Sequence, residues 1–246
     1  MEIVSLQSAL AARVWRASFN RGDSAVRAVP TRFAALNRLL PDGGWPQRSL
    51  IELLCACGVG EMRLLMPVLT PLMRARQPVV LIEPPSMPYP RALIVHGVML
   101  DQLLVVRARE QAQRLWAIEQ TLKSGGVAAV VAWLPENNAR HISFQALRRL
   151  QLAAQGMQRD PGLVFLLRSA AARTAASPAP LRIELTACRR GVALDIFKRR
   201  GMPAHSVLQL ALPGSPARRT EPLFEELPAA EDVEVAIDAV DCRLSA

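Results

Sequence analysis

From Ser49 onward the chain alternates between two kinds of apolar pattern. Short continuous runs, "SLIELLC", "PVVLIE", "QLLVVRA", "VAAVVAWL" and "GLVFLLR", alternate with longer stretches whose apolar residues recur every three or four positions. The runs read as strands and the stretches as helices. The helices are "EMRLLMPVLTPLMRAR", "YPRALIVHGV" ending at Gly97, "REQAQRLWAIEQTLKSG" with a stop at Gly125, and "FQALRRLQLAAQG". Pro67 is expected to kink the first of them, because proline removes a backbone hydrogen bond inside a helix. Strands that are apolar throughout are covered on both faces, so the pattern predicts an α/β fold with a mostly parallel central sheet. "LRIELTA" and "VALDIFKRR" alternate instead and are separated by "CRRG", which predicts an antiparallel hairpin at the sheet edge. The small-residue stretch before them, "SAAARTAASPAP", reads as a flexible loop.

The flanks are patterned differently. Leu6, Leu10, Val14 and Trp15 fall at helical spacing and predict an N-terminal amphipathic helix and arm over residues 1–23. "TRFAALNRLL" reads as a short helix with Thr31 as its cap, followed by the turn "PDGGWP". The core is expected over residues 24–200. Residues 201–246 are proline-rich and weakly patterned, and "VLQLALP" within them is expected to lie outside the sheet. Val233, Ile237, Val240 and Leu244, with acidic residues between them, would make an acidic amphipathic helix on binding a partner.

Charge and composition narrow the classes. The net charge is +9. It is uneven, because from Glu221 onward there are eight acidic residues and one basic, against 13 acidic and 29 basic before it. A basic body with an acidic tail suits nucleic acid or an acidic partner. No apolar run approaches the roughly 20 residues that cross a bilayer. The N-terminus lacks a basic start followed by an apolar stretch, so a cytoplasmic location is expected. Cys55, Cys57, Cys188 and Cys242 form no C-x-x-C pair, and none has a histidine at zinc-ligand spacing. The first two read as core thiols on one face of a strand.

The stretch "CACGVGEMRLL" has a strand before it and a helix after it, the setting of a phosphate-binding loop. Such a loop reads G-x-x-x-x-G-K-[ST], with lysine on the phosphates and the hydroxyl on magnesium. With Gly60 as the second glycine, Cys55 stands at the first, Glu61 at the lysine and Met62 at the hydroxyl. A magnesium-binding acid is expected at the end of the fourth strand, where Ala132 and Trp133 stand. A water-activating glutamate is expected after the second, where Pro84 and Pro85 follow Glu83. The pattern predicts no catalytic residue, no cofactor and no metal.

"SAVRAVPTRFAALNRLLPDGGWPQRSLIELLCACGVGE" resembles the start of the core of RecA-type recombinases. The chain more closely resembles the ImuA family, translesion-synthesis-associated proteins with RecA-like cores. The resemblance is carried by Glu52–Glu61 through Leu65, Ala132–Pro135, Leu147–Ala154 and Lys198–Pro203, and covers roughly residues 24–203. It implies a RecA-like central sheet with helices on both faces, an antiparallel edge hairpin, an N-terminal helix and a C-terminal arm. It also implies a function, that of a non-catalytic scaffold in SOS-induced mutagenesis. The partners would be ImuB, which is an inactive Y-family polymerase homologue, an alternative catalytic subunit of DNA polymerase III, and RecA. The related cell-division inhibitor SulA, and a DNA-dependent ATPase with an unorthodox site, are the alternatives.

Candidate contacts follow. Recombinase loops equivalent to the small-residue loop face DNA, so Arg168, Arg173, Lys198, Arg199 and Arg200 are candidates for weak, non-specific DNA binding. Leu6, Leu10, Val14 and Trp15, with Val233, Ile237, Val240 and Leu244, are candidates for binding partners or a second copy of the chain.

Overall fold

The computed structural model describes residues 28–136, 141–189, 191–201 and 205–212. The candidate partner residues in segments 1–23 and 233–244 lie outside them.

The chain begins with a two-residue strand β1 (Ala28–Val29), a short helix α1 (Ala34–Asn37) and β2 (Trp45–Pro46), which pairs antiparallel with β1. Eight further strands form one sheet. They are β3 (Ser49–Leu54), β4 (Val79–Ile82), β5 (Leu103–Val106), β6 (Ala129–Leu134), β7 (Leu163–Arg168), β8 (Leu181–Cys188), β9 (Gly191–Arg199) and β10 (Ser206–Ala211). Their order is β10-β9-β8-β3-β7-β6-β4-β5. The pairs from β8 to β5 are parallel, while β8–β9 and β9–β10 are antiparallel. The helices are α2 (Glu61–Arg74), α3 (Pro90–Val95), α4 (Gln111–Lys123) and α5 (Phe144–Gln155). An α/β fold on a mostly parallel sheet is what the continuous apolar runs demanded.

Side-chain alternation along the strands sends two sets of residues to two cores. Ile51, Leu53, Val131, Trp133, Phe165 and Leu167 pack with Leu64, Leu65, Val68, Leu69 and Met73 of α2. Leu50, Val130, Ala132, Val164 and Leu166 pack with α4 and α5 on the opposite face. Trp45 closes the first core edge-to-face on Phe165, at a centroid distance of 5.3 Å.

Helix α2 is one continuous element with Pro67 and Pro71 inside it. The two prolines are four residues apart, so both missing hydrogen bonds fall on one face, and the buried apolar stripe sustains the helix across them. Three expectations change. Thr31 is not the cap of α1. Phe33 occupies that position, and the Thr31 hydroxyl accepts from the Phe33 N–H at 3.1 Å and donates to Asn37 Oδ1 at 2.7 Å. Cys57 is exposed beyond the end of β3 rather than sharing a core face with Cys55. Residues 206–211, expected in an arm outside the sheet, form its edge strand β10. Pairing with β9 satisfies backbone groups that an isolated apolar segment would leave to solvent.

The α5 side of the sheet also buries charge. Glu52, in the middle of β3, is fully buried and lies opposite Leu166 of β7 and Arg182 of β8. Arg168 donates from Nη1 to Glu52 Oε1 at 2.9 Å, and from Nε and Nη2 to the Glu136 carboxylate at 2.6 and 3.1 Å. Arg182 donates to Glu52 Oε2 at 2.7 Å and to the carbonyls of Ala172, Arg173 and Ala175. The Ser177 hydroxyl also donates to Glu52, and Glu136 accepts from the Ile142 N–H at 3.2 Å. Burial alone would lower the pKa of Arg168, but the carboxylates of Glu136 and Glu52 hold it above its ordinary value. The loop read as flexible is therefore pinned, with a short 3-10 turn over Ala170–Thr174 and Ala172 fully buried. Arg168 is 1% exposed and cannot reach DNA, contrary to the expectation from its loop position.

Breaking a buried pair leaves a charge without its counter-ion. Arg168→Met should lower the unfolding free energy by about 3–5 kcal/mol in urea titrations. Glu52→Gln combined with it should cost less than the sum of the two single changes. A loss under ~1 kcal/mol for Arg168→Met would contradict the network.

Candidate functional site: a filled phosphate loop and an apolar groove

The loop between β3 and α2 keeps the backbone of an anion-binding nest. Gly58 and Gly60 have φ of +83° and +111°, a left-handed region that glycine enters without strain. Their N–H groups converge on one acceptor. That acceptor is the chain's own Glu61. Gly58 N–H donates to Oε1 at 3.0 Å and Gly60 N–H to Oε2 at 3.1 Å, and Glu61 is 4% exposed. A carboxylate in the first turn also suits the positive end of the α2 dipole. Glu61 therefore supplies from within the chain the acceptor that these N–H groups require.

The loop is closed from the side by the end of the sheet. A methyl group on Gly60 would come within 2.8 Å of Leu212 Cδ1 and 3.3 Å of Val192 Cγ1. Arg63 Nη2 donates to the Leu212 carbonyl at 3.4 Å. Cys55, at the loop's start, has its thiol pushed up to about 12 by burial first and by the Glu61 carboxylate second.

Beside the loop lies a groove of about 560 Å³. Its walls are Met62, Met66, Pro67 and Pro71 of α2, the segment Pro84–Pro88 after β4, and Leu93 of α3. Leu81 and Trp133 reach it from the sheet. Glu61, Met62, Pro85 and Trp133, the residues at the four positions where phosphate, magnesium and water-activating chemistry would be found, all line this space. Three of the four are apolar. Glu83 does not line it. Its carboxylate pairs with Arg107 at 3.2 Å and accepts from the Ala108 N–H, which ties the end of β4 to the end of β5. The indole N–H of Trp133, 6% exposed, has no acceptor among the described residues.

The remaining DNA candidates mostly face their own chain. Arg173 is paired with Glu184 and Asp195, and its guanidinium lies 4.5 Å from the centroid of the Phe197 ring. The hydrogen bond to Asp195 is the main cause of its raised pKa. Lys198 Nζ donates to the Ser177 carbonyl at 2.6 Å, and burial, followed by nearby Arg182, lowers its pKa. Arg199 bonds the Leu39 carbonyl and the Ser206 hydroxyl. Arg200 is exposed. The five therefore do not assemble into one DNA-facing cluster. Sequence reasoning missed Glu52, Glu136 and Arg182; for Glu52 and Arg182 the signal available was a charge inside an apolar strand run, in "SLIELL" and "LRIELTA", while Glu136 lies outside any such run.

No family model matches the chain, and no curated protein matches it. No described helix is long and apolar enough to cross a membrane.

Two outcomes follow from the loop. Glu61→Ala empties the nest and should destabilise the fold by about 1–2 kcal/mol, as loss of a helix cap does; an unchanged urea midpoint would contradict the filled-nest geometry. Iodoacetamide at pH 8 should label Cys57 and spare Cys55 in the native protein, because the buried thiol yields little thiolate. Equal labelling of the two, mapped by fragmentation mass spectrometry, would show that the loop opens.

Proposed function

We propose that this protein is a non-catalytic, RecA-like scaffold of the SOS-induced translesion synthesis machinery. The observation that carries the reading is Glu61 seated in the phosphate nest, with both oxygens on backbone N–H groups. A triphosphate would have to expel that carboxylate, or sit within about 4 Å of it at a cost of several kcal/mol away from bulk water. Met62, Pro85 and Trp133 supply neither a hydroxyl nor an acid for magnesium. The RecA-like part of the reading is supported by β3, which lies inside the sheet between β7 and β8 with the nest at its C-terminal end. The position is the usual one for a phosphate loop in an open α/β sheet. The ImuA-like segments add the cellular role. Work is then done by protein–protein contact with an ImuB-like polymerase homologue, an alternative polymerase III subunit and RecA, in the cytoplasm. An ATPase reading is disfavoured by the filled nest, and nothing in the site favours a division inhibitor.

Calorimetric titration of the full chain with Mg-ATP should give no heat of binding. The ImuB-like protein should co-purify with the full chain from cells exposed to a DNA-damaging agent. A micromolar ATP affinity, or a damaged-cell pull-down without that protein, would overturn the reading.

A further inference from the structure

The central sheet ends in β10 on one side and β5 on the other. Among the described residues β5 has one strand neighbour, β4, so the backbone groups on its outer side carry no ladder bonds there. Edge strands are commonly blunted by a charge, a proline or a bulge. β5 reads "LLVV" and pairs with β4 without a register shift, so it has none of the three.

The surface around this edge is apolar. Ten large hydrophobic residues are exposed among those described, and six of them lie between positions 87 and 104. They are Met87, Tyr89, Ile94, Val95, Leu100 and Leu104. α3 touches the 3-10 turn Leu100–Gln102, which in turn touches β5, so this surface borders the open edge. Such a concentration marks a contact with another macromolecule.

Charge says which macromolecule. Asp101 stands three residues before Leu104, and Arg107 three residues after it. The Asp101 side chain is 50% exposed and pairs with Arg76, and that of Arg107 is 49% exposed and pairs with Glu83. Half-exposure leaves each open to a second counter-ion. In an antiparallel ladder built on a twofold axis, opposite residues share a face and stand equally far from the axis. An axis at Leu104 sets Asp101 of each copy opposite Arg107 of the other, and Leu103 opposite Val105. Leu104, 57% exposed, meets its own counterpart. The strand is thus complementary to itself in both polarity and charge. A strand of another protein matches it only by repeating the same order of acid, apolar residues and base.

We propose that β5 pairs antiparallel with β5 of a second copy across a twofold axis at Leu104, so that the two sheets continue into one. Backbone hydrogen bonds join the strands, an Asp101–Arg107 pair closes each end, and the apolar surface of α3 and Leu100 flanks the seam. This contact stands independently of the scaffold reading.

Sedimentation equilibrium of the full chain over the micromolar range should show a monomer–dimer equilibrium. Leu104→Lys places two like charges on the axis, at an exposed position, and should weaken the dimer roughly tenfold or more. Asp101→Arg and Arg107→Asp should each weaken it as well, because each sets like charges opposite one another at both ends. Mixing these two variants should restore a dimer, since every arginine at these positions of one then faces an aspartate of the other. Misfolding of either variant would not give that recovery. Val207→Lys, on the opposite edge strand β10, should leave the dimer unchanged. The proposal is overturned by a chain that stays monomeric, which gives the edge to another protein, or by a dimer that Leu104→Lys leaves intact. A dimer that Val207→Lys dissociates, or a mixture of the two charge variants no more dimeric than either alone, overturns it too. None of these results bears on Mg-ATP binding or the damaged-cell pull-down, so the scaffold reading stands or falls separately.

Discussion

A single carboxylate in the middle of the central strand organises much of this molecule. Glu52 is fully buried where β3 meets β7 and β8. An unpaired charge there would cost many kcal/mol, so the fold must bring cations to it. Arg168 and Arg182 are those cations, and each needs more acceptors than Glu52 alone supplies. Arg168 recruits Glu136 from the segment after β6, and Arg182 recruits the carbonyls of Ala172, Arg173 and Ala175. The two segments that leave β6 and β7 are thereby drawn down onto the α5 side of the sheet. Replacing such a network by apolar residues is often no less stable, so its value here lies in specificity. It fixes where two connecting segments lie, and it keeps Arg168 and Arg182 away from solvent.

The same logic operates on the other side of the sheet with the opposite result. A glycine loop before a helix exposes N–H groups that require an acceptor. Glu61 supplies one from within the chain, so the loop is complete without a ligand. Leu212 then packs against Gly60, which leaves no room for a side chain there. Glycine suits the position for its conformation and for this close approach, and neither requires a phosphate.

The sequence made the central architecture legible because five apolar runs and four helical stretches each carried a strong period. Its errors have local causes. β10 was missed because six residues of alternating exposure next to prolines carry little signal until β9 provides a partner. The helix through Pro67 was legible from its apolar period, and burial of Leu64, Leu65, Val68 and Leu69 offsets the cost of its prolines. Arg168 read as a DNA contact because strand-end arginines are usually exposed, and its two carboxylate partners stand 32 and 116 positions away in the chain. The lack of a lysine and a hydroxyl after the glycine turn was legible; the seating of Glu61 in the nest was not, since it depends on the φ values of Gly58 and Gly60.

The position of the groove explains why no single change would make a nucleotide site of this loop. Glu61 and Met62 come from the first turn of α2, Pro85 from the segment after β4 and Trp133 from the end of β6. Lysine at 61 would free the nest, but Met62 would still offer no oxygen to magnesium. Trp133 fills the place of the acid, and Pro85 has neither a side-chain base nor an N–H. The four residues act together, because each carries an apolar surface or a satisfied charge into one continuous space. The N–H groups of Gly58 and Gly60 are already satisfied by the Glu61 carboxylate, so these two donors leave nothing for a phosphate to satisfy.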